Sequence, residues 1–269
     1  MDFEILTSKV CEVARKAGRY IKEERATFKT DKVERKHAHD YVSYVDKQSE
    51  RLIVEALREL LPEAGFITEE GTASLSPTSN ASGLPPTGGI RGGLFCWVVD
   101  PLDGTTNFIH GYAPYCVSIA LCQGHDIVIG VVYEVTTDEC FYAWKDGGAY
   151  CNGERLRVSN TPLCDALLCL QLPYNSKEYK PVAQGLIGRF YGNVASIRMS
   201  GSAAMSLCYV AAGRLDGYAE RYIGQWDFMA GACIVREAGG RVTDYEGDED
   251  FMDGDCVVAT NGVIHITPL

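Results

Sequence analysis

Residues 94–108 read LFCWVVDPLDGTTNF. The apolar run Leu94 to Val99, with its aromatic and β-branched residues, fits a buried strand. The run ends on Asp100, and Asp103 follows three residues later across Pro101. An apolar strand that ends in acids sets them at the edge of a sheet. Two aspartates on either side of a proline-stiffened bend can point at one locus, and so can the Leu102 carbonyl; oxygen ligands of that kind suit Mg²⁺. Gly104 leaves room where a phosphate must approach the backbone, and the amides of Gly104 and Thr105 would open the next segment, where amides bind anions. An isolated DxxDG is more often a turn with solvated acids; the nine-residue context from Asp100 to Phe108 favours a site.

Outward from this stretch, the pattern sorts into helices before it and strands after it. Phe3, Leu6, Val10, Val13, Ala17 and Tyr20 recur at steps of three and four, which predicts an amphipathic helix over about residues 3–25. Leu52, Ile53, Ala56, Leu57 and Leu60 mark the buried face of a second helix that Pro62 helps to end. Downstream, CVSIALC, IVIGVVY and CFYAW are short apolar runs between glycine and charged turns, hence strands. After Leu167 the order becomes strand, helix (203–212), strand (215–220) and helix (228–238), an alternation that suggests a second α/β layer. Between residues 74 and 93, 14 of 20 residues are Ser, Thr, Pro or Gly, so this segment is expected to be a flexible loop, an insertion or a flap.

The chain has 269 residues, 46% of them hydrophobic, which suffices for a full core in one domain or two tightly packed subdomains. Its formal charge of −11 argues against general affinity for nucleic acid or an anionic membrane face, and is compatible with carboxylates that hold cations for an anionic substrate. The 11 cysteines form no CxxC pair and read as reduced core thiols, and the five histidines show no ligand spacing. The opening MDFEI lacks the basic-then-apolar run of a secretion signal, and no stretch approaches the roughly 20 apolar residues of a membrane span, so a cytoplasmic location is expected.

Two further acidic segments matter. Trp226-Asp227-Phe228-Met229-Ala230-Gly231-Ala232, running on to Glu237-Ala238-Gly239-Gly240, sets an aspartate at the start of a small-residue helix, where capping is the plainer role. Glu69-Glu70 follows the short strand 65–67, where a solvated turn is the plainer role. Taken jointly, TEE (68–70), DPLDGTTNF (100–108) and WDFMAGACIVREAGG (226–240) resemble the signature of the inositol monophosphatase family. The stretches DYVSYVD (40–46), GAYCNG (148–153) and GSAA (201–204) extend the resemblance from the first helix to about Asn261. Thr68 departs from the family's usual glycine, and Gly224-Gln225 stand where its substrate-facing residues vary.

The resemblance implies a five-layered αβαβα sandwich, with residues 1–160 as an α+β subdomain carrying the metal site and 161–269 as an α/β subdomain, together one catalytic unit. It implies two to three Mg²⁺ ions: Glu69, Asp100 and the Leu102 carbonyl on one; Asp100, Asp103 and Asp227 on a second; Glu69 shared with a third. Thr105 would orient the attacking water with Asp46, a residue that would otherwise read as a helix cap. Asp103, Ala203 (through its backbone), Glu220 and Asp227 would hold substrate hydroxyls, although Glu220 reads equally well as a surface acid at a strand end. The implied reaction is lithium-sensitive hydrolysis of inositol monophosphate or a similar polyol phosphate by a homodimer. The alternatives are a 3′(2′),5′-bisphosphate nucleotidase or fructose-1,6-bisphosphatase and, from another class, a regulator that binds RNA or transcription machinery.

Overall fold

The computed structural model describes residues 1–28, 33–37, 40–75, 95–172, 180–252 and 255–266. From residue 76 on, the segment expected to be a loop lies outside the described residues; Thr72–Leu75 form a 3₁₀ turn. In chain order the elements are α1 (Phe3–Thr27), β1 (Val33–His37), β2 (Asp40–Ser43), α2 (Tyr44–Leu60), β3 (Gly65–Thr68), β4 (Phe95–Asp103), α3 (Thr105–His110), β5 (Cys116–Gln123), β6 (Asp126–Glu134), β7 (Glu139–Trp144), β8 (Gly148–Cys151) and β9 (Glu154–Arg155). They continue with β10 (Leu167–Leu170), α4 (Lys180–Phe190), β11 (Ser196–Arg198), α5 (Ala203–Ala211), β12 (Gly217–Arg221), α6 (Gln225–Glu237), β13 (Arg241–Thr243) and β14 (Cys256–Thr260).

The first helix forms where its periodicity predicts, capped by the Asp2 side chain, which accepts from the Ile5 amide at 3.1 Å. The second begins at Tyr44, eight residues before the apolar stripe that announces it. Its first turns bury Asp46, Ser49 and Glu50 alongside Val45. The strand before the acids also runs further than expected: β4 continues through Asp103, and its register with β5 shifts between Asp100 (opposite Ser118) and Asp103 (opposite Cys116). The bulge falls on Pro101 and Leu102, where a residue without an N–H leaves no ladder bond unmade.

Two sheets organise the layers. Seven strands run in the order β3-β4-β5-β6-β7-β8-β9, parallel only between β3 and β4; five run in the order β11-β10-β12-β14-β13, with β10 parallel to both neighbours. Alternation along each strand splits the side chains between faces. Trp97 and Val99 of β4 pack with α1 and α2, while Cys96 and Val98 face α5 and α6. In the second sheet, Cys169 and Val257 face those same helices, and Leu168, Leu170 and Val258 pack on the far side with Leu186 and Phe190 of α4. The result is the αβαβα sandwich in five layers, with the end of β4 facing the first turns of α5 and α6.

All 11 cysteines are free thiols and all but Cys164 are buried, as reduced core residues would be. Among the described residues no helix is long and apolar enough to cross a membrane.

Candidate metal-binding site

The bulge that ends β4 turns Asp100 and Asp103 to the same side, and the first turn of α6 brings Asp227 to them. One carboxylate oxygen from each lies within 4.8 Å of the other two. Asp100 and Asp103 are buried and Asp227 is partly so. Each carboxylate is also tied to backbone: Asp100 Oδ1 accepts from the Leu102 amide (2.9 Å), Asp227 Oδ2 from the Gly224 amide (2.6 Å) and Asp103 Oδ2 from the Ala204 amide (2.8 Å). Asp227 is the third residue of its helix, and the same side chain that closes the helix N-terminus also faces the two aspartates.

Asp46 divides its labour between its two oxygens. Its Oδ2 accepts from the amide and hydroxyl of Ser43 (2.9 and 2.6 Å), closing the N-terminus of α2, while its Oδ1 accepts from the Thr105 hydroxyl at 2.9 Å. The same hydroxyl lies 2.9 Å from the Leu102 carbonyl, so Asp46, Thr105 and Leu102 converge at one edge of the three aspartates. Glu69 is not within the 4.8 Å group. It sits just past β3, its amide donating to the Val99 carbonyl (3.2 Å), and its charge acts on Asp100 and Asp227.

Gly104 and Glu220 are each also constrained by the fold itself. Gly104 has φ +88°, and a Cβ there would come within 2.9 Å of the Pro114 carbonyl and 3.3 Å of that of Gly201; the crowding comes from the chain itself. Glu220 is not a surface acid: it is buried on β12, its carboxylate accepting from the Tyr218 hydroxyl. Ala203 begins α5, where its amide, like that of Ala204, is directed at Asp103. His110, His125 and His265 are exposed, in keeping with surface residues.

Burial is the main force on these acids. It pushes Asp100 and Asp227 well above the ordinary carboxylate range; neighbouring charges add to the effect, from Glu69, Asp103 and Asp227 on Asp100, and from Asp103, Glu69 and Glu220 on Asp227. Asp103 and Asp46 are raised less, because hydrogen bonds from Ser202 and Ala204, and from Ser43 and Thr105, offset the desolvation. Like charges about 4 Å apart repel by roughly 1 kcal/mol in bulk-water dielectric and about 4 kcal/mol at an effective dielectric of 20. Among the described residues no ion pair with lysine or arginine involves Asp100, Asp103 or Asp227. An all-oxygen set of crowded carboxylates with no such counter-charge among the described residues fits a hard divalent cation.

Several supporting side chains act through partners remote in sequence. Ser202 donates its hydroxyl to Asp103 Oδ2 (2.5 Å) while accepting from the Met205 amide, and the Cys116 thiol lies 3.7 Å from the same oxygen. Asn107 Nδ2 donates to the carbonyls of Pro114 and Ser200, both at 2.8 Å, tying the acidic motif to the segment before α5. Asn107 lies within DPLDGTTNF, but Ser200 is remote from it in sequence.

This geometry has counterparts in known proteins. The Inositol monophosphatase family profile matches residues 2–267. A tomato (Solanum lycopersicum) protein named Inositol monophosphatase 2 is 42% identical over 253 residues, covering 93% of this chain and 91% of that one. The Nus factor SuhB of Pasteurella multocida is 39% identical over 236 residues, covering 86% and 82%. In structure, the extragenic suppressor protein suhB of Bartonella henselae superposes with a TM-score of 0.85 at 35% identity, covering 96% of this chain and 95% of that one. With a profile match over nearly its whole length and an acidic centre assembled from DPLDGTTNF and the start of WDFMAGACIVREAGG, the chain belongs to the inositol monophosphatase family.

Proposed function

We propose that this protein is a Mg²⁺-dependent phosphatase that hydrolyses monoesters of myo-inositol or a similar small polyol. The observation that carries the reading is the convergence of Asp100, Asp103 and Asp227 beside the Thr105–Asp46 hydrogen bond. These aspartates, Glu69 and the Leu102 carbonyl would hold two to three ions, which when bound supply Lewis-acid chemistry: a more acidic water and a neutralised leaving oxygen. The Thr105 hydroxyl donates a hydrogen bond to Asp46 Oδ1 or the Leu102 carbonyl and keeps its proton, which leaves its lone pairs free to accept a hydrogen bond from the attacking water. Asp46, locked by Ser43, keeps that hydroxyl oriented.

Gly104 and Thr105 would receive the phosphate through their amides, and Asp103, the Ala203 amide, Glu220 and Asp227 the polyol hydroxyls. Water attacks directly, so no covalent enzyme intermediate is needed. Residues 1–160 and 161–269 act as one unit, since donors to Asp103 come from the second half. A cytoplasmic homodimer inhibited by Li⁺ completes the proposal.

The test is phosphate release from inositol-1-phosphate, an adenosine 3′,5′-bisphosphate and fructose-1,6-bisphosphate, each with Mg²⁺ and with excess chelator. Inositol-1-phosphate should be turned over fastest, and only with Mg²⁺; preference for either bisphosphate would reassign the substrate, and full activity in chelator would overturn the metal role. A second reading, binding to transcription machinery, takes its support from the relatives named Nus factor SuhB. The net charge of −11 weighs against RNA as the direct ligand, and a pull-down assayed for phosphatase activity tests whether the two roles coexist.

A further inference from the structure

One polar face of α2 touches three separate backbone segments of the site. Asp46 holds Thr105, Ser49 donates its hydroxyl to the Pro101 carbonyl at 3.1 Å, and Glu50 reaches the turn after Glu69. All three side chains are buried, Glu50 completely. Glu50 Oε2 accepts from the Glu70 amide at 2.7 Å; its Oε1 accepts from the Thr72 amide at 2.6 Å and from the Thr72 hydroxyl at 2.7 Å. Between them Gly71 makes the turn with φ +67°. At the other end of the turn, the Glu69 amide donates to β4 through the Val99 carbonyl. Residues 69–72 are thereby pinned at one end by the strand that carries Asp100 and at the other by a carboxylate that no substrate group needs to touch.

We propose that Glu50 is a positioning residue that sets the affinity for the divalent cation by fixing the turn from which Glu69 presents its carboxylate. A charged acceptor with three donors is stronger than a neutral one and leaves no donor unmet, whereas an amide in its place would set an N–H against an N–H. Asp46 and Glu50 are one helical turn apart, so the same rigid helix indexes the Thr105 end and the Glu69 end of the site to each other. The inference rests on the metal-dependent reading above.

The experiment is calorimetric titration of Mg²⁺ into the parent, Glu50→Gln and Glu50→Asp, with melting in chelator and phosphate release across Mg²⁺ concentrations on the same samples. Supporting groups around metal ligands change affinity by roughly 10–100-fold. Glu50→Gln should bind Mg²⁺ at least about tenfold more weakly, with turnover at saturating Mg²⁺ kept within about threefold. Glu50→Asp keeps the charge on a shorter arm and should fall between. A folded variant that binds Mg²⁺ like the parent overturns the proposal, as does lost turnover at unchanged affinity. If Glu50→Gln does not fold, Glu50→Asp decides; if neither folds, Glu50 is a folding residue and the proposal fails. A parent that binds no Mg²⁺ overturns the metal-dependent reading and this inference together.

Discussion

At the scale of single residues, the site is made of carboxylates that serve the fold and the centre at once. Asp46, Asp103 and Asp227 all give an oxygen to a helix N-terminus, which fixes the side chain, and each also reaches the site. Glu220 carries the largest consequence for pH. Burial, opposed by the Tyr218 hydroxyl and reinforced by Asp103, holds its carboxyl up to about 8 against an ordinary 4.5. Between those values the folded chain keeps a proton that the unfolded chain has lost. This contribution to stability is therefore full below pH 4.5, is lost as pH rises, and levels off above 8. Asp46, Asp100, Asp103 and Asp227 are raised as well and act with the same sign. In chelator the melting temperature should fall steadily from about pH 5 to about pH 8. Glu220→Gln keeps an acceptor for Tyr218 and should flatten the profile, since a tenfold difference in proton affinity between the folded and unfolded chain is worth about 1.4 kcal/mol. Parallel profiles for parent and variant would show that Glu220 is not held protonated.

At the scale of elements, close packing of α6 on the first sheet positions Asp227. Gly130 of β6 lies under that helix, and a Cβ there would come within 2.3 Å of the Ala230 carbonyl and 2.9 Å of Cys233 Cβ. The obstacle is backbone, so Gly130→Ala must push the helix outward. It should cost about 1–3 kcal/mol, read as a melting temperature lower by several degrees, with Mg²⁺ affinity falling as well. An unchanged melt would mean that the helix position is not set by this contact. Long periodic elements such as α1 are legible in the sequence, as are the apolar strands β4 to β7, because their buried faces are almost wholly apolar. The start of α2 is not, since Asp46, Ser49 and Glu50 are polar yet buried, and polar residues in an amphipathic pattern read as solvent-facing. Strands β11 and β13, at three residues each, are too short to show a period. The apolar pattern starts α6 at Phe228, but Asp227 already lies inside its first turn.

At the scale of the whole molecule, the acidic centre joins parts of the chain that are far apart in sequence. The motif at the end of β4 supplies Asp100 and Asp103, the start of α5 supplies the donors that hold Asp103, and α6 supplies Asp227. The acids themselves are legible because they are clustered in short motifs. The anchor Glu50 is not, because its partners lie 20 and 22 residues away, and the stretch GSAA marks Ser202 and Ala204 without showing that they hold Asp103, 99 and 101 residues away. The seven-stranded sheet and the α5–α6 layer thus meet at a cluster of like charges, linked by the hydrogen bonds to Asp103, and a cation should stabilise their arrangement. The most direct measurement compares parent and Asp103→Asn by thermal melting in chelator and in saturating Mg²⁺, with phosphate release from inositol-1-phosphate on the same samples. In chelator the variant should melt at or above the parent, since one repelling charge is gone and an asparagine oxygen can still accept from Ser202 and Ala204. Mg²⁺ at about 100 times its dissociation constant should stabilise the parent by about 2.7 kcal/mol, roughly 5–10 °C for a chain of this size. The variant should gain much less and lose turnover by at least about 100-fold. Equal stabilisation of both proteins by Mg²⁺, or an unfolded variant in chelator, would contradict a cation site built on Asp103.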